Sequence, residues 1–201
     1  MSPVRIVLLA LAVAAGCSES EESVPAGTPT PSASTPAPTR SAVAVGSDHG
    51  QAWSTLAPKD DGYRLQGGSL DGAKVSVGDD RVKLKTDAGT LAKVKLKDYG
   101  FKVYRDDEHE SAKVKRKGAG FQLSSPEGAR WGELTTSGGT LSGEAVTIET
   151  GAGTHSIKRG GTVVGTVQAA IEPRAAVFLA VTELPMEQRV AAMVFVQEKV
   201  R

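Results

Sequence analysis

Residues 81–97 read Arg81-Val82-Lys83-Leu84-Lys85-Thr86-Asp87-Ala88-Gly89-Thr90-Leu91-Ala92-Lys93-Val94-Lys95-Leu96-Lys97, and this stretch decides the fold. Val82 and Leu84 alternate with Arg81, Lys83 and Lys85, and Val94 and Leu96 alternate with Lys93, Lys95 and Lys97. A hydrophobic period of two places apolar side chains on one face of a strand and charged ones on the other. Asp87-Ala88-Gly89 between the two runs suits a turn. The stretch therefore predicts an antiparallel hairpin, packed on one face and wet on the other.

Outward from this hairpin the pattern recurs. Tyr63-Arg64-Leu65 leads to Ala73-Lys74-Val75, Phe101-Lys102-Val103 to Ala112-Lys113-Val114-Lys115, and Phe121-Gln122-Leu123 to Trp131-Gly132-Glu133-Leu134. The second anchor falls at Val75, Val94, Val114 and Leu134, at spacings of 19, 20 and 20. A period near 20 is a supersecondary unit, and the unit here is a hairpin. Arg105-Asp106-Asp107-Glu108 and Ser125-Pro126-Glu127-Gly128 supply further turns. Strands continue through Ala145–Ile148, Thr154–Ile157 and Thr162–Val164, with Gly151, Gly153, Gly160 and Gly161 between them. The fold class is mainly β, an antiparallel meander of ~20-residue hairpin repeats.

After the strands the period changes. Arg174 to Glu183 predicts a compact helix behind Pro173, apolar all round from Ala175 to Val181 and so buried. A second helix is predicted over 186–199, with Val190, Met193, Val194 and Gln197 on one face. A meander followed by an apolar helix resembles the tubby-like barrel of the LURP-one and phospholipid-scramblase-like families. Phe101 and Val103 with Val114, Phe121 and Leu123 with Leu134, and the run Ala175–Val181 carry the resemblance, over about residues 60–182. It implies a sheet curled around the first helix, with the second as an addition. A β-solenoid, or an unrelated β-sheet with two covering helices, stands as the alternative.

The chain begins differently. Arg5 precedes eleven apolar or small residues, Ile6 to Gly16, too few to span a bilayer and of the length of a secretory signal. Val13-Ala14-Ala15-Gly16-Cys17 resembles the lipobox of bacterial lipoproteins, with Ala14 where leucine is commonest. The resemblance implies removal of residues 1–16 and acylation at Cys17. The protein would then sit in the bacterial cell envelope: the outer membrane in a diderm, otherwise the outer face of the cell membrane. Cys17 is the chain's single cysteine, so no internal disulfide forms. From Cys17 to residue 46 a Ser/Thr/Pro/Ala-rich tether is expected, with one β-rich domain over 47–201.

Chemistry is sparse. His49, His109 and His155 are scattered, and His155 reads as a surface strand residue. The acidic turn around His109 lacks the spaced oxygens of a calcium loop. Gly138-Gly139 and Gly160-Gly161 lack the lysine of a phosphate loop and read as turns. No catalytic residue, cofactor or metal ligand is assigned, and the enzyme question leans to no. With Arg5 removed the chain has 23 basic and 23 acidic side chains, so its overall charge does not point to nucleic acid. Residues 81–117 depart from this balance, with 12 Lys or Arg against 6 Asp or Glu, a net +6. The alternation gathers Arg81, Lys83, Lys85, Lys93, Lys95, Lys97, Lys113, Lys115 and Lys117 on one wet face. That patch is either a binding surface for an envelope protein, glycan or anionic lipid, or the ordinary charge of a wet sheet whose role is structural.

Overall fold

The computed structural model describes residues 42–46 and 52–200. The leader, Cys17, the spacer up to Ser41 and His49 lie outside the described residues. Among those described, fourteen strands form one closed antiparallel meander barrel. They are β1 (Val43–Gly46), β2 (Ala52–Lys59), β3 (Gly62–Gln66), β4 (Lys74–Val77), β5 (Arg81–Thr86), β6 (Gly89–Lys97) and β7 (Gly100–Tyr104), then β8 (Glu110–Lys117), β9 (Gly120–Ser124), β10 (Arg130–Thr135), β11 (Gly138–Leu141), β12 (Glu144–Gly151), β13 (Thr154–Arg159) and β14 (Thr162–Gln168). Each strand pairs with its neighbours in sequence, and β1 closes the ring against β14, with Val45 opposite Val167. A closed antiparallel ring leaves no exposed strand edge, which excludes the solenoid and a sheet merely covered by two helices. The β1 strand lies before Ser47, inside the stretch whose composition reads as spacer.

The repeat is a register. Tyr63 faces Val75, Val82 faces Val94, Phe101 faces Val114 and Phe121 faces Leu134 across successive hairpins. All eight are buried and point into the barrel. A slip of one residue would carry every anchor to the outer face, so burial pins each pairing. Gly138-Gly139, expected as a turn, belongs to β11; Gly139 faces Leu134 within the ladder.

The barrel is filled by the segment that follows it. Chain alternation places the turns β2–β3, β4–β5 and β6–β7 on the same rim as the start of β1 and the end of β14, here the entry rim. From there α1 (Pro173–Ala176) and a 3-10 turn (Val177–Ala180) pack against β12–β14 and lead to the far rim. The return is made by α2 (Met186–Lys199), which packs on β4–β7. The continuous helix expected over 174–183 is therefore one α turn and one 3-10 turn. The 186–199 helix is no one-faced addition, because Val190 to Val196 are all buried. Both limbs lie within the sheet, in the manner the tubby-like resemblance implies but with two limbs instead of one.

Phe101 and Phe121 from the wall meet Phe178 and Phe195 from the two limbs, with ring centroids 5.0–6.0 Å apart. These are the four phenylalanines of the chain. Each contributes about 2–3 kcal/mol through burial, with the edge and tilted ring contacts adding to it.

Polar contacts tie the filling segment at both rims. On β13, His155, Ile157 and Arg159 all face inward. At the entry rim His155 Nε2 donates to the carbonyl of Ile171 at 2.9 Å. A carbonyl can only accept, so Nε2 carries a proton, and Nδ1 lies 2.8 Å from the Thr150 hydroxyl. His155 is thus a buried structural residue, correcting its expected place on the surface. At the far rim the Arg159 guanidinium donates twice to Glu183, at 2.8 Å each, and to Glu144 at 2.7 Å and Thr182 Oγ1 at 2.6 Å. Back at the entry rim, Glu172 N–H donates to Gln197 Oε1 at 2.9 Å, and the Tyr63 hydroxyl to Glu198 at 2.5 Å.

Candidate functional site

The lumen is occupied, so the outer face is where this barrel can meet anything. Strand alternation brings the cations of β5 to β8 onto one wall. Across these strands Arg81 faces Lys95, Lys83 faces Lys93, Lys95 faces Lys102, and Lys102 faces Lys113. Like charges directly opposite one another destabilise a sheet. The wall offsets this with three carboxylates, each shared by two cations.

Asp107, in the loop after β7, accepts from Lys83 Nζ at 2.5 Å and lies 3.6 Å from Lys93 Nζ. The Lys83 hydrogen bond, helped by Thr90, holds the Asp107 carboxyl down at about 2. The backbone carbonyl of Asp107 accepts from Lys93 as well, and Lys93 sits 4.6 Å above the Tyr104 ring. Glu110 takes Lys102 at 2.5 Å and Lys113 at 3.7 Å, and the Lys102–Glu110 hydrogen bond raises the lysine above its ordinary value. Asp80 lies 3.6 Å from Arg81 Nε and 3.9 Å from Lys95 Nζ. Lys117 pairs separately with Glu133 at 2.7 Å.

Of the nine cations read from the sequence, six are engaged in this way. Lys85, Lys97 and Lys115 have no anionic partner among the described residues. They lie on three different strands, β5, β6 and β8, and Lys85 lines an open depression of about 270 Å³ with Ser76, Gly78, Arg81 and Lys83. The nine therefore share a wall but differ in kind: six are held by carboxylates, and three have no carboxylate partner among the described residues, Lys115 exposed and Lys85 and Lys97 half-buried. Sequence alternation finds the face. It cannot find the pairings, because Asp80, Asp107 and Glu110 sit in or beside turns whose side chains fold back over the strands.

The acidic turn around His109 is committed to the protein itself. Asp106 Oδ1 accepts from the backbone N–H groups of Glu108 and His109 at 2.8 and 2.7 Å, and Oδ2 meets His109 Nδ1 at 2.8 Å. These contacts hold the Asp106 carboxyl well below the ordinary range. Asp107 is turned to the lysines, so the loop is a clamp on the wall. Among the described residues no group of three or more His, Cys, Asp or Glu side chains is placed to hold a metal ion. No described helix is long and apolar enough to cross a membrane. The barrel is apolar inside and charged along this outer wall, the reverse of the polarity of a membrane-spanning barrel.

No protein-family model matches the chain, and no curated protein or solved structure matches it either.

Proposed function

We propose that this protein is a lipid-anchored envelope protein whose barrel holds an anionic surface against the β5–β8 wall. The observation that carries the proposal is the stacking of like charge over four paired strands, with Lys85, Lys97 and Lys115 lacking a carboxylate partner among the described residues. A wet sheet needs polarity, but it does not need cations opposite cations. Arranging them so and then restraining them with Asp80, Asp107 and Glu110 yields a pre-ordered basic face. Such a face loses little side-chain entropy when it docks. Cys17 supplies the attachment through the lipobox resemblance, and the barrel supplies recognition without catalysis.

The described core begins at Val45, so a chain starting at Ser18 keeps the barrel whole and lacks the acyl site. That chain should sediment with vesicles of mixed phosphatidylcholine and phosphatidylglycerol at low salt and be released as salt rises. Replacing Lys85, Lys97 and Lys115 by Gln leaves every ion pair intact. At about 1 kcal/mol per lysine the triple variant should lose roughly a hundredfold in affinity. Equal binding by parent and triple variant would overturn the basic-face proposal. For the anchor, labelled palmitate should enter the full chain and be absent from Cys17→Ala; label retained in that variant would overturn the acylation site.

A further inference from the structure

Leu96 and Tyr99 are the only large hydrophobic side chains that stand exposed among the described residues, at 44% and 40%. They sit together at the β6–β7 hairpin. Leu96 has the parity of the inward residue Val94 and pairs with Phe101, yet near the end of β6 it stands exposed. Tyr99 is in the turn itself. The tip is firmly built: Leu96 N–H donates to the Asp80 carbonyl at 2.7 Å, and Arg116 N–H donates to the Tyr99 carbonyl at 2.9 Å. The backbone carrying this exposed aliphatic and phenol is thus fixed by neighbouring strands on both sides.

Two further features give this tip its occupant. Lys97 and Lys115 stand beside it without carboxylate partners among the described residues, and Arg116 and Lys117, the latter paired with Glu133, follow at the end of β8. The tip also belongs to the entry rim, where β1 begins. Leu96 lines an open depression with Lys97 and Arg116, and also with Asp80 and Asp98, so the charge beside the tip is mixed. Tyr with neighbouring lysine, here Lys97 and Lys115, matches the boundary between headgroups and acyl chains, where Tyr is favoured and lysine meets anionic lipid. Asp60, Asp61 and Asp79 lie on the β2–β5 sector of the same rim, so the whole rim cannot lie flat on an anionic surface.

The geometry points to a second membrane contact: the barrel docks tilted, on its β6–β9 sector, with Leu96 and Tyr99 entering the interfacial layer of an anionic bilayer. This deepens the basic-wall proposal and rests on it, naming the surface as the lipid bilayer itself. The lysines bring the barrel to the surface, and the tip makes the contact that salt does not remove. The acyl anchor is then not the sole point of insertion.

The test uses the chain starting at Ser18 with the same mixed vesicles. Leu96→Ser/Tyr99→Ser removes only exposed groups and should keep the parent's urea midpoint. It should bind roughly tenfold more weakly and lose the fraction that resists raised salt. A Tyr99→Trp variant should be quenched by acyl-brominated lipid more than the parent, which already contains two tryptophans. Unchanged vesicle affinity and no added quenching would overturn the insertion, and loss only with the lysine variant would leave the electrostatic attachment standing. Binding to dextran sulfate but not to vesicles would likewise overturn insertion and keep the basic face. No binding to either would overturn both.

Discussion

Arg159 joins the wall to the segment inside it. Its side chain is 8% exposed, and its fork spans Glu183 while the same guanidinium reaches Glu144 and Thr182. Arg159→Ala leaves two carboxylates facing each other with no cation. The loss should be about 3 kcal/mol or more, seen as a lowered urea midpoint. Arg159→Lys keeps the charge but not the two-pronged geometry, and should fall between the two. Burial pushes the Glu183 carboxyl up, but hydrogen bonds from Arg159 and Ser142 outweigh it and set it below its ordinary 4.5. Because the folded value is the lower one, Glu183's contribution is complete above pH 4.5 and is lost as pH falls through the lowered value. Urea midpoints measured downward from pH 6 should drop below pH 4.5, and less so in Glu183→Gln. None of this was legible in the sequence. Arg159 follows the period-two pattern of β13 as an inward residue, but an inward arginine reads as an error until Glu183, 24 positions away, is seen beside it.

At the level of the element, the hairpins were the most legible part. Their anchors recur every 19 or 20 residues because each unit crosses the barrel twice, and the pairing of Val82 with Val94 is what the alternation predicts. The interior limbs were legible in substance but not in form. From Val190 to Val196 there is no charged residue, a signal for burial on every side that a search for one apolar face passes over. The break at Val177 has no such signal, since the same apolar run would serve an unbroken helix. Turns were legible where Asp and Gly cluster and misread where glycine serves a strand. Gly100 opens β7 with φ +150°, and a Cβ there would lie 2.2 Å from the Val114 carbonyl oxygen. Gly100→Ala should cost about 2 kcal/mol or more in urea unfolding. Gly72→Ala, at φ +79° with open space around it, should cost about 1 kcal/mol.

At the level of the whole molecule, closure and charge are the two organising facts. Closure depends on four residues of β1, which bridge β2 and β14. A chain started at Ser47 would leave both neighbours with unpaired edges and should self-associate, readable as a larger hydrodynamic size, whereas a chain started at Ser18 should stay as it is. Composition hid this strand, because Val43–Gly46 continues the small residues of the spacer and is too short to show a period. The charge asymmetry was plain in the sequence, with its net +6 confined to residues 81–117. What the fold adds is the division of that charge into restrained pairs and three lysines with no carboxylate partner among the described residues, two of them, Lys97 and Lys115, beside the apolar tip.

Both limbs of the interior follow all fourteen strands in the chain. Until residues 171–200 have been made, the hairpins have anchors but nothing to close around. Local pairing is available early, while burial of Phe101 and Phe121 waits for Phe178 and Phe195. Full burial of the wall anchors therefore waits until the last segment of the chain has been made. A chain cut short before this segment by a nonsense codon lacks the filling of its core and should be cleared as unfolded material, without leaving a partly working barrel.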